Sequence, residues 1–380
     1  FASEESGGND CDDTNSEISP SADDPGGDDL DQNCDGPDGI DSDGDGFASI
    51  DSGGKDPDDE DDSVVVPTNF EIIKYWAPVF YHDTDEDNYK ADFITSIKFD
   101  GDLVSSNNWE NLDSEDANFG AVIYFSVIET HTHWFLLYVD FHPRDWDKNC
   151  NPIVPFKEPC HENDMEGAMV VVRKDKTTYG RFELLYTEAH NTLHAFTNDP
   201  LISALHHHGI EEDVTVTFEN GSHPELYVES KGHGVCALYY NGDKHCKHDI
   251  SNTPPEFGGN DGVVYRYGGT KGVPESGNDH DVSYSLLSLE YQIWPHRNDI
   301  CDGLCLFDVE MEYEGMVLGY AFDGDNYGDD KANPPWAWDD PNDGPVYRGD
   351  FFFDPAATLQ THFDIPEPIS QEYLYNPYLP

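Results

Sequence analysis

Basic residues are scarce in this 380-residue chain: Lys and Arg number 19 against 79 Asp and Glu, a formal net charge of -60. The imbalance is not confined to one end. Residues 1–63 hold 23 of the acidic residues and one Lys, which leaves 56 acidic and 18 basic in residues 64–380, a net of about -38. A surface of that sign repels nucleic acid and anionic membrane and gathers cations. Bound divalent metal, or a high-salt habitat that screens self-repulsion, makes such a density tolerable. Long apolar runs are lacking as well. None approaches the roughly 18 residues a membrane-spanning helix needs, and no signal-peptide pattern opens the chain. Also missing are C-x-x-C pairs, G-x-S-x-G, a phosphate-binding loop and a dinucleotide fingerprint. Zinc-ribbon, thiol-redox, serine-hydrolase and nucleotide-binding classes therefore find no support.

What cysteine there is falls into neighbouring pairs: Cys11/Cys34, Cys150/Cys160, Cys236/Cys246 and Cys301/Cys305. Eight Cys allow 105 connectivities, of which neighbour pairing is the simplest. Four short-range disulfides imply an oxidising, extracellular or cell-surface setting; the alternative is a set of buried thiols.

Residues 1–62 are Asp, Gly and Ser with too few large apolar residues for a core. Such a composition ordinarily gives a disordered acidic tail, but it contains a repeat. "FASEESGGNDCDD" at Phe1 returns as "FASIDSGGKDPDD" at Phe47. The second copy follows "DSDGDG", which places Asp41, Asp43 and Asp45 on alternate residues with Gly46 next, the way a calcium loop begins. Position twelve is Ser52 instead of a bidentate Glu, so this is not an EF-hand. Further oxygens are expected from the Phe47 carbonyl and from Asp56, Asp58 and Asp59. Hard oxygens at this spacing suit Ca²⁺.

The run from Asp10 to Ser49 resembles the MopE-type metal-binding repeat of bacterial surface and secreted proteins, D-C-D-D-x-N, then I/V-x-P-x-A, D-x-x-C-D-G and D-x-D-G-D-G. Asp10, Asp12, Asp13, Asn15, Pro20, Ala22, Asn33, Cys34, Asp35 and Gly36 match it. The resemblance implies further metal ligands at Asp10, Asp12, Asp13 and Asp35. The second copy carries Pro57 where the first has Cys11, as a terminating repeat would. The family takes its name from a copper protein, but this segment offers none of the soft ligands copper prefers, so calcium is the expected ion. The register with Asp41–Gly46 leads us to expect another repeat upstream of Phe1.

From Ser63 the character changes to short, aromatic and β-branched runs such as "AVIYFSVI", "THWFLLYVDF", "GAMVVVRKD" and "PELYVES", separated by Gly, Pro, Asn and Asp. The expected fold is all-β, a β-sandwich with long loops and few short helices over residues 63–380, preceded by the irregular Asp-rich calcium-repeat segment over 1–62. "LLYTEAHNTLHAF" and "PLISALHHHGI" are the best helix candidates.

The densest polar cluster is "FHPRDWDKNCNPIVPFKEPCHENDMEGAMVVV". It places His161, Asp164 and Glu166 at H-x-x-D-x-E, with Asp145 sixteen residues before His161. Asp164 and Glu166 would share one face of a strand. One imidazole and three carboxylates suit Ca²⁺, Mg²⁺, Mn²⁺ or Zn²⁺; a salt network with Arg144 or Arg173 is the alternative. "FHPRDW…HENDMEG" resembles the metal-site strands of the necrosis- and ethylene-inducing-peptide-like proteins (NLPs), whose F-P-K-D segment is followed by G-H-R-H-D-W-E. "SHPELYVESKGHGV" resembles a later segment of NLPs and of the related vacuolar-sorting-associated family, and there His233 is the match. The resemblance implies a divalent cation held at the top of a β-sandwich by Asp145, His161, Asp164, Glu166 and His233. Cys160, Asn163 and Met165 depart from the heptad, and the loop before His161 is longer.

Secondary candidates are Glu188, His190 and His194 as a zinc group, Glu129, His131 and His133 as lining of the main pocket, and Asp323, Asp325, Asp329 and Asp330 as another calcium loop. Trp336 and Trp338 are either a sugar-stacking platform or buried packing, and the "HHH" at 206–208 reads as solvated. Three functions follow. The favoured one is a secreted or surface-displayed calcium-binding protein with a structural, self-assembly or glycan- and cell-surface-binding role, without enzymatic activity. The second is a metal-dependent hydrolase with His233 as base. The third, implied by the NLP resemblance, is a glycolipid-binding cytolysin.

Overall fold

The computed structural model describes residues 67–146, 160–242, 262–297, 334–338 and 349–379 apart from gaps of one to three residues. It also describes the backbone of two strands between 310 and 320, Cys246, and scattered positions between 15 and 64. The ordered body starts with a helix whose entry is written in "TNFE". The Thr68 hydroxyl accepts from the Glu71 N–H at 3.2 Å, and the Glu71 carboxylate accepts from the Thr68 N–H at 3.0 Å, a reciprocal cap. Helix α1 (Asn69–Tyr75) buries Ile72 and Ile73.

The strands are β1 (Val79–His82), β2 (Val122–Thr130), β3 (His133–Val139), β4 (His142–Asp145), β5 (His161–Asp164) and β6 (Gly167–Asp175). They continue with β7 (Thr177–Glu188), β8 (Leu193–Phe196), β9 (Ser203–Ala204), β10 (Phe218–Glu219), β11 (His223–Val228) and β12 (Val235–Ala237). The last are β13 (Val263–Tyr267), β14 (Val282–Ser288), β15 (Glu310–Tyr313), β16 (Met316–Tyr320), β17 (Phe363–Asp364) and β18 (Tyr373–Tyr375). Twelve of these form one mixed sheet in the order β10-β11-β1-β13-β14-β2-β3-β6-β7-β8, with β12 paired to β11 and β18 to β2. β4 and β5 make a separate hairpin beside it.

The fold is thus mostly β with a few short helices, but the two-sheet sandwich expected from the sequence is replaced by a single continuous ladder that curls on itself. Phe182 on β7 meets Phe218 on β10 with ring centroids 5.0 Å apart, so strands near opposite ends of the order face each other. The parallel pairings β1·β11, β13·β14 and β14·β2 supply the links that a sandwich of hairpins would lack. Two cores result. On β3, Trp134, Leu136 and Tyr138 point into one, while Phe135, Leu137 and Val139 point into the other. The second core is closed by α2 (Asp350–Phe353) and α3 (Pro355–His362) and by Trp336 and Trp338. With both faces covered, every residue of β3 is buried, which is why "WFLLYV" is an unbroken apolar run. Trp336 and Trp338 are 0% and 2% exposed, so the packing reading holds over the sugar platform.

Neither helix candidate is helical among its described residues. Residues 184–188 lie on β7 and 193–196 on β8. Between them Ala189 and Thr192 exchange backbone hydrogen bonds of 2.9 and 3.0 Å, with His190 at φ +53°. Such positive φ suits a tight hairpin turn, and the ladder with β6 outweighs the local helical spacing. Ser203–Ala204 likewise pairs with β17.

Cys236 and Cys246 are joined as expected. Cys34 and Cys160 are disulfide-bonded as well; Cys11, Cys150, Cys301 and Cys305 lie outside the described residues. Among the described residues no helix is long and apolar enough to cross a membrane.

Candidate metal centre

The site is built on the β4–β5 hairpin, whose register sets Asp145 opposite His161 and His142 opposite Asp164. In a regular strand His161 and Asp164, three residues apart, would point to opposite faces. Asn163, at φ +62°, breaks the alternation. Its side chain is locked by Asn108 Nδ2 at 2.5 Å and by the Ser105 carbonyl at 2.9 Å. One donor atom each from Asp145, His161 and Asp164 consequently lies within 4.8 Å of the others, and all three residues are buried. His161 Nδ1 donates to the Asn163 carbonyl at 2.7 Å, which turns Nε2 toward Asp145 Oδ2, 3.4 Å away.

Glu166 stands behind this trio. Its Oε1 accepts the His190 N–H at 2.9 Å, while Oε2 is buried without a hydrogen-bond partner. Burial, then the negative charges of Glu188 and Asp164, push the Glu166 carboxyl well above its usual range. Burial likewise raises Asp145, to about 7, with His161 opposing and Asp164 reinforcing the shift. Neither candidate arginine relieves this: Arg144 reaches the Trp109 carbonyl and Asp113, and Arg173 pairs with Glu183 and Glu367. The convergent Asp/His/Asp group, with the orphaned Glu166 oxygen beside Asp164, fits a divalent cation, whose charge would reverse the pKa logic of the whole cluster.

His233 is placed differently from the other expected ligands. It is 0% exposed and at φ +56°, in a turn where Lys231 is also at positive φ (+75°). The flanking glycines of "GHG" are required by close approach: a Cβ at Gly232 would run into the His190 ring, and one at Gly234 would meet Glu229 Oε2 at 2.6 Å. The Asp92 carboxylate fixes this turn by accepting the Lys231 N–H at 2.7 Å. His233 Nδ1 then donates to Asp164 Oδ2 at 2.8 Å. It supports the trio from behind instead of joining it, and its full burial is unsuited to a base that activates water. Backbone strain at Asn163, His190, Lys231 and His233 gathers around this one centre, as it does at functional sites.

The sequence reading missed His82, His142, Asp140 and Asp92. All four are buried next to the expected ligands, and His82, His142 and His233 form a second group whose donor atoms converge within 4.8 Å. Asp140 and His142 sit two apart at the end of β3 and the start of β4, an alternation that "DFH" displays openly.

The secondary candidates disperse. His190 Nε2 meets Glu229 at 2.8 Å and His194 Nδ1 meets Glu211 at 2.9 Å, on opposite sides of the hairpin turn. Glu129 pairs with Lys174, His133 with Glu183, and His131 lies in the β2–β3 turn near Glu372.

In the repeat, Ser42 donates through both its N–H and its hydroxyl to the Asp59 carboxylate, at 2.7 and 2.6 Å, closing the front of the loop on its back. Asp41 accepts the Gly44 N–H at 2.8 Å, Asp56 is 1% exposed, and Asp43 and Phe47 lie on the same loop. An Asp58–Lys176 pair at 2.7 Å ties it to the β6–β7 hairpin. Asp10, Asp12, Asp13, Asp35, Asp45, Asp323 and Asp325 lie outside the described residues, as does the "HHH" at 206–208.

No family model matches the chain, and no curated protein matches it. Solved structures that align with it include NLPs. One is the necrosis and ethylene inducing protein 2 from the causal agent of cocoa's witches' broom disease, 12% identical over 48% of this chain and 74% of that one, with a TM-score of 0.27. Another is described as a toxin fold for microbial attack and plant defense, 12% identical over 50% and 82%, TM-score 0.27. A third, NLPPya in complex with glucosamine, is 9% identical over 48% and 73%, TM-score 0.26. Likeness at these scores carries no argument about activity.

Proposed function

We propose that this chain is an extracellular or surface-displayed, divalent-cation-dependent protein with a binding or assembly role, its body held by a cation at Asp145, His161, Asp164 and Glu166 and its N-terminal repeat by Ca²⁺. The observation that carries the reading is the convergence of Asp145, His161 and Asp164 donors within 4.8 Å in a buried setting. Without a cation, such carboxylates cost desolvation free energy that the hydrogen bonds from His233 and the His190 N–H offset only in part, Glu166 Oε2 having none; with one, binding free energy becomes folding free energy. The disulfide at Cys236–Cys246 and the net charge of -60 support an oxidising, cation-rich setting.

The test is calorimetric titration of chelator-stripped protein with Ca²⁺, Mn²⁺ and Mg²⁺, alongside thermal melts. Binding that is lost in Asp145→Asn, and a melting temperature that falls on chelation, are expected. An unchanged melting curve after exhaustive chelation would sink the reading.

A further inference from the structure

Behind the carboxylate cluster lies a second, chemically different one. His82 comes from the end of β1, His142 from the start of β4 and His233 from the turn between β11 and β12. All three are 0% exposed. The His142 and His233 rings stack with centroids 3.8 Å apart and an interplanar angle of 9°, and the His82 ring stands edge-on to them at 4.9 and 5.8 Å.

Each imidazole is held by one nitrogen and has the other spare. His82 Nδ1 donates to the Asp83 carbonyl at 2.6 Å, leaving Nε2 without a hydrogen bond. His142 Nε2 lies 3.2 Å from Asp140 Oδ2, leaving Nδ1 without one. His233 Nδ1 donates to Asp164 Oδ2 at 2.8 Å, and Nε2 makes no hydrogen bond, although it sits 3.4 Å from Asp92 Oδ1. A carbonyl or carboxylate behind one ring nitrogen is the arrangement that fixes the tautomer of a metal-ligating histidine and aims its other nitrogen at the ion.

We propose that His82, His142 and His233 form a site for a borderline transition ion, Zn²⁺ or Co²⁺, with the Asp92 carboxylate available as a fourth donor. Three imidazoles and a carboxylate match the preference of these ions, whereas Ca²⁺ requires oxygen. Tetrahedral Zn²⁺ with bonds of about 2.0–2.1 Å holds its ligand atoms about 3.4 Å apart. The trio's donors lie within 4.8 Å of one another, and closing on an ion requires the stacked His142 and His233 rings to tilt apart. The protein would then hold two ions of different hardness, with the His233–Asp164 hydrogen bond between them.

The experiment is Zn²⁺ retention by the full chain in millimolar Ca²⁺, measured by mass spectrometry of the dialysed protein, with Co²⁺ absorption reporting coordination. We expect one Zn²⁺ per chain and a tetrahedral Co²⁺ spectrum. His82→Gln and His142→Gln should each weaken Zn²⁺ at least about 10-fold, while Asp145→Asn should lower Ca²⁺ or Mn²⁺ binding and keep the Zn²⁺. No Zn²⁺ in excess Ca²⁺, or Zn²⁺ lost in Asp145→Asn and kept in His82→Gln, overturns the site without touching the carboxylate-cluster reading. If a histidine variant fails to fold, anomalous scattering at the zinc edge from crystals of the unaltered protein decides. A peak among the three rings supports the site, and a peak elsewhere or none refutes it.

Discussion

His233 Nδ1 and Asp164 Oδ2 are 2.8 Å apart, and that bond joins the carboxylate cluster on the β4–β5 hairpin to the histidine cluster behind it. Both side chains are buried, at 0% and 6% exposure. Asp164→Ala removes a donor from one cluster and the anchor of the other. Calcium or manganese affinity should fall at least about 10-fold and stability by about 3–5 kcal/mol, the range for breaking one side of a buried charged pair. Titration calorimetry and denaturant melts check both, and retention of wild-type cation affinity would contradict the assignment of Asp164.

The Lys174–Glu129 pair is the clearest buried ion pair outside the site, 2.7 Å long with side chains 1% and 3% exposed. Lys174 Nζ also lies over the Trp134 ring at 4.9 Å. Lys174→Met should cost about 3–5 kcal/mol by stranding Glu129, and the double change Lys174→Met/Glu129→Leu should recover most of it. A double-mutant cycle showing simple additivity would be the contrary result.

Gly167 follows Glu166 at the start of β6. A Cβ there would collide with the Tyr138 carbonyl and would meet the Val139 Cα at 2.9 Å. Since these are backbone atoms, Gly167→Ala must push β6 away from β3. We expect a lower melting temperature together with weaker cation binding, because the shift moves Glu166. Unchanged cation affinity in a folded Gly167→Ala protein would show that the strand start does not position the site.

His133 sets an acid limit. Its Nε2 donates to Glu183 Oε2 at 2.6 Å and its Nδ1 accepts from the Thr132 hydroxyl at 2.8 Å, so the neutral ring is the one the fold accommodates. Burial lowers its pKa below the usual value near 6.5, against the pull of Glu183. A folded-state pKa below the unfolded one contributes stability that is complete above about pH 6.5 and is lost as pH falls. From pH 8 to pH 5 the stability lead of the unaltered protein over His133→Gln in thermal melts should shrink, because the buried carboxyls with raised pKa act alike in both. Equal slopes in the two proteins would refute the assignment.

The acidic charge, the repeat, the Cys236–Cys246 pair and the β-rich body were all legible in the sequence, because each is a local matter of composition or short spacing. Asp145, His161 and Asp164 could be nominated from "FHPRDW" and "HENDMEG" for the same reason. The turn at Ala189–Thr192 could not: helical spacing in "EAHNTLH" was overruled by a ladder with β6 that pairs residues far apart in the chain. Nor could the single curled sheet be distinguished from a two-sheet sandwich, since the strands read the same and only the parallel pairings β1·β11, β13·β14 and β14·β2 differ.

The sequence by itself determined the strongly acidic charge and the spacing that nominated Asp145, His161 and Asp164. Tertiary structure alone decided that His82 and His142, 60 positions apart, meet His233, because convergence of three imidazoles from separate strands depends on sheet order and has no spacing to read. It also decided that His233 reaches Asp164 and converges with His82 and His142, since a left-handed turn between two glycines directs the ring and no propensity of histidine does.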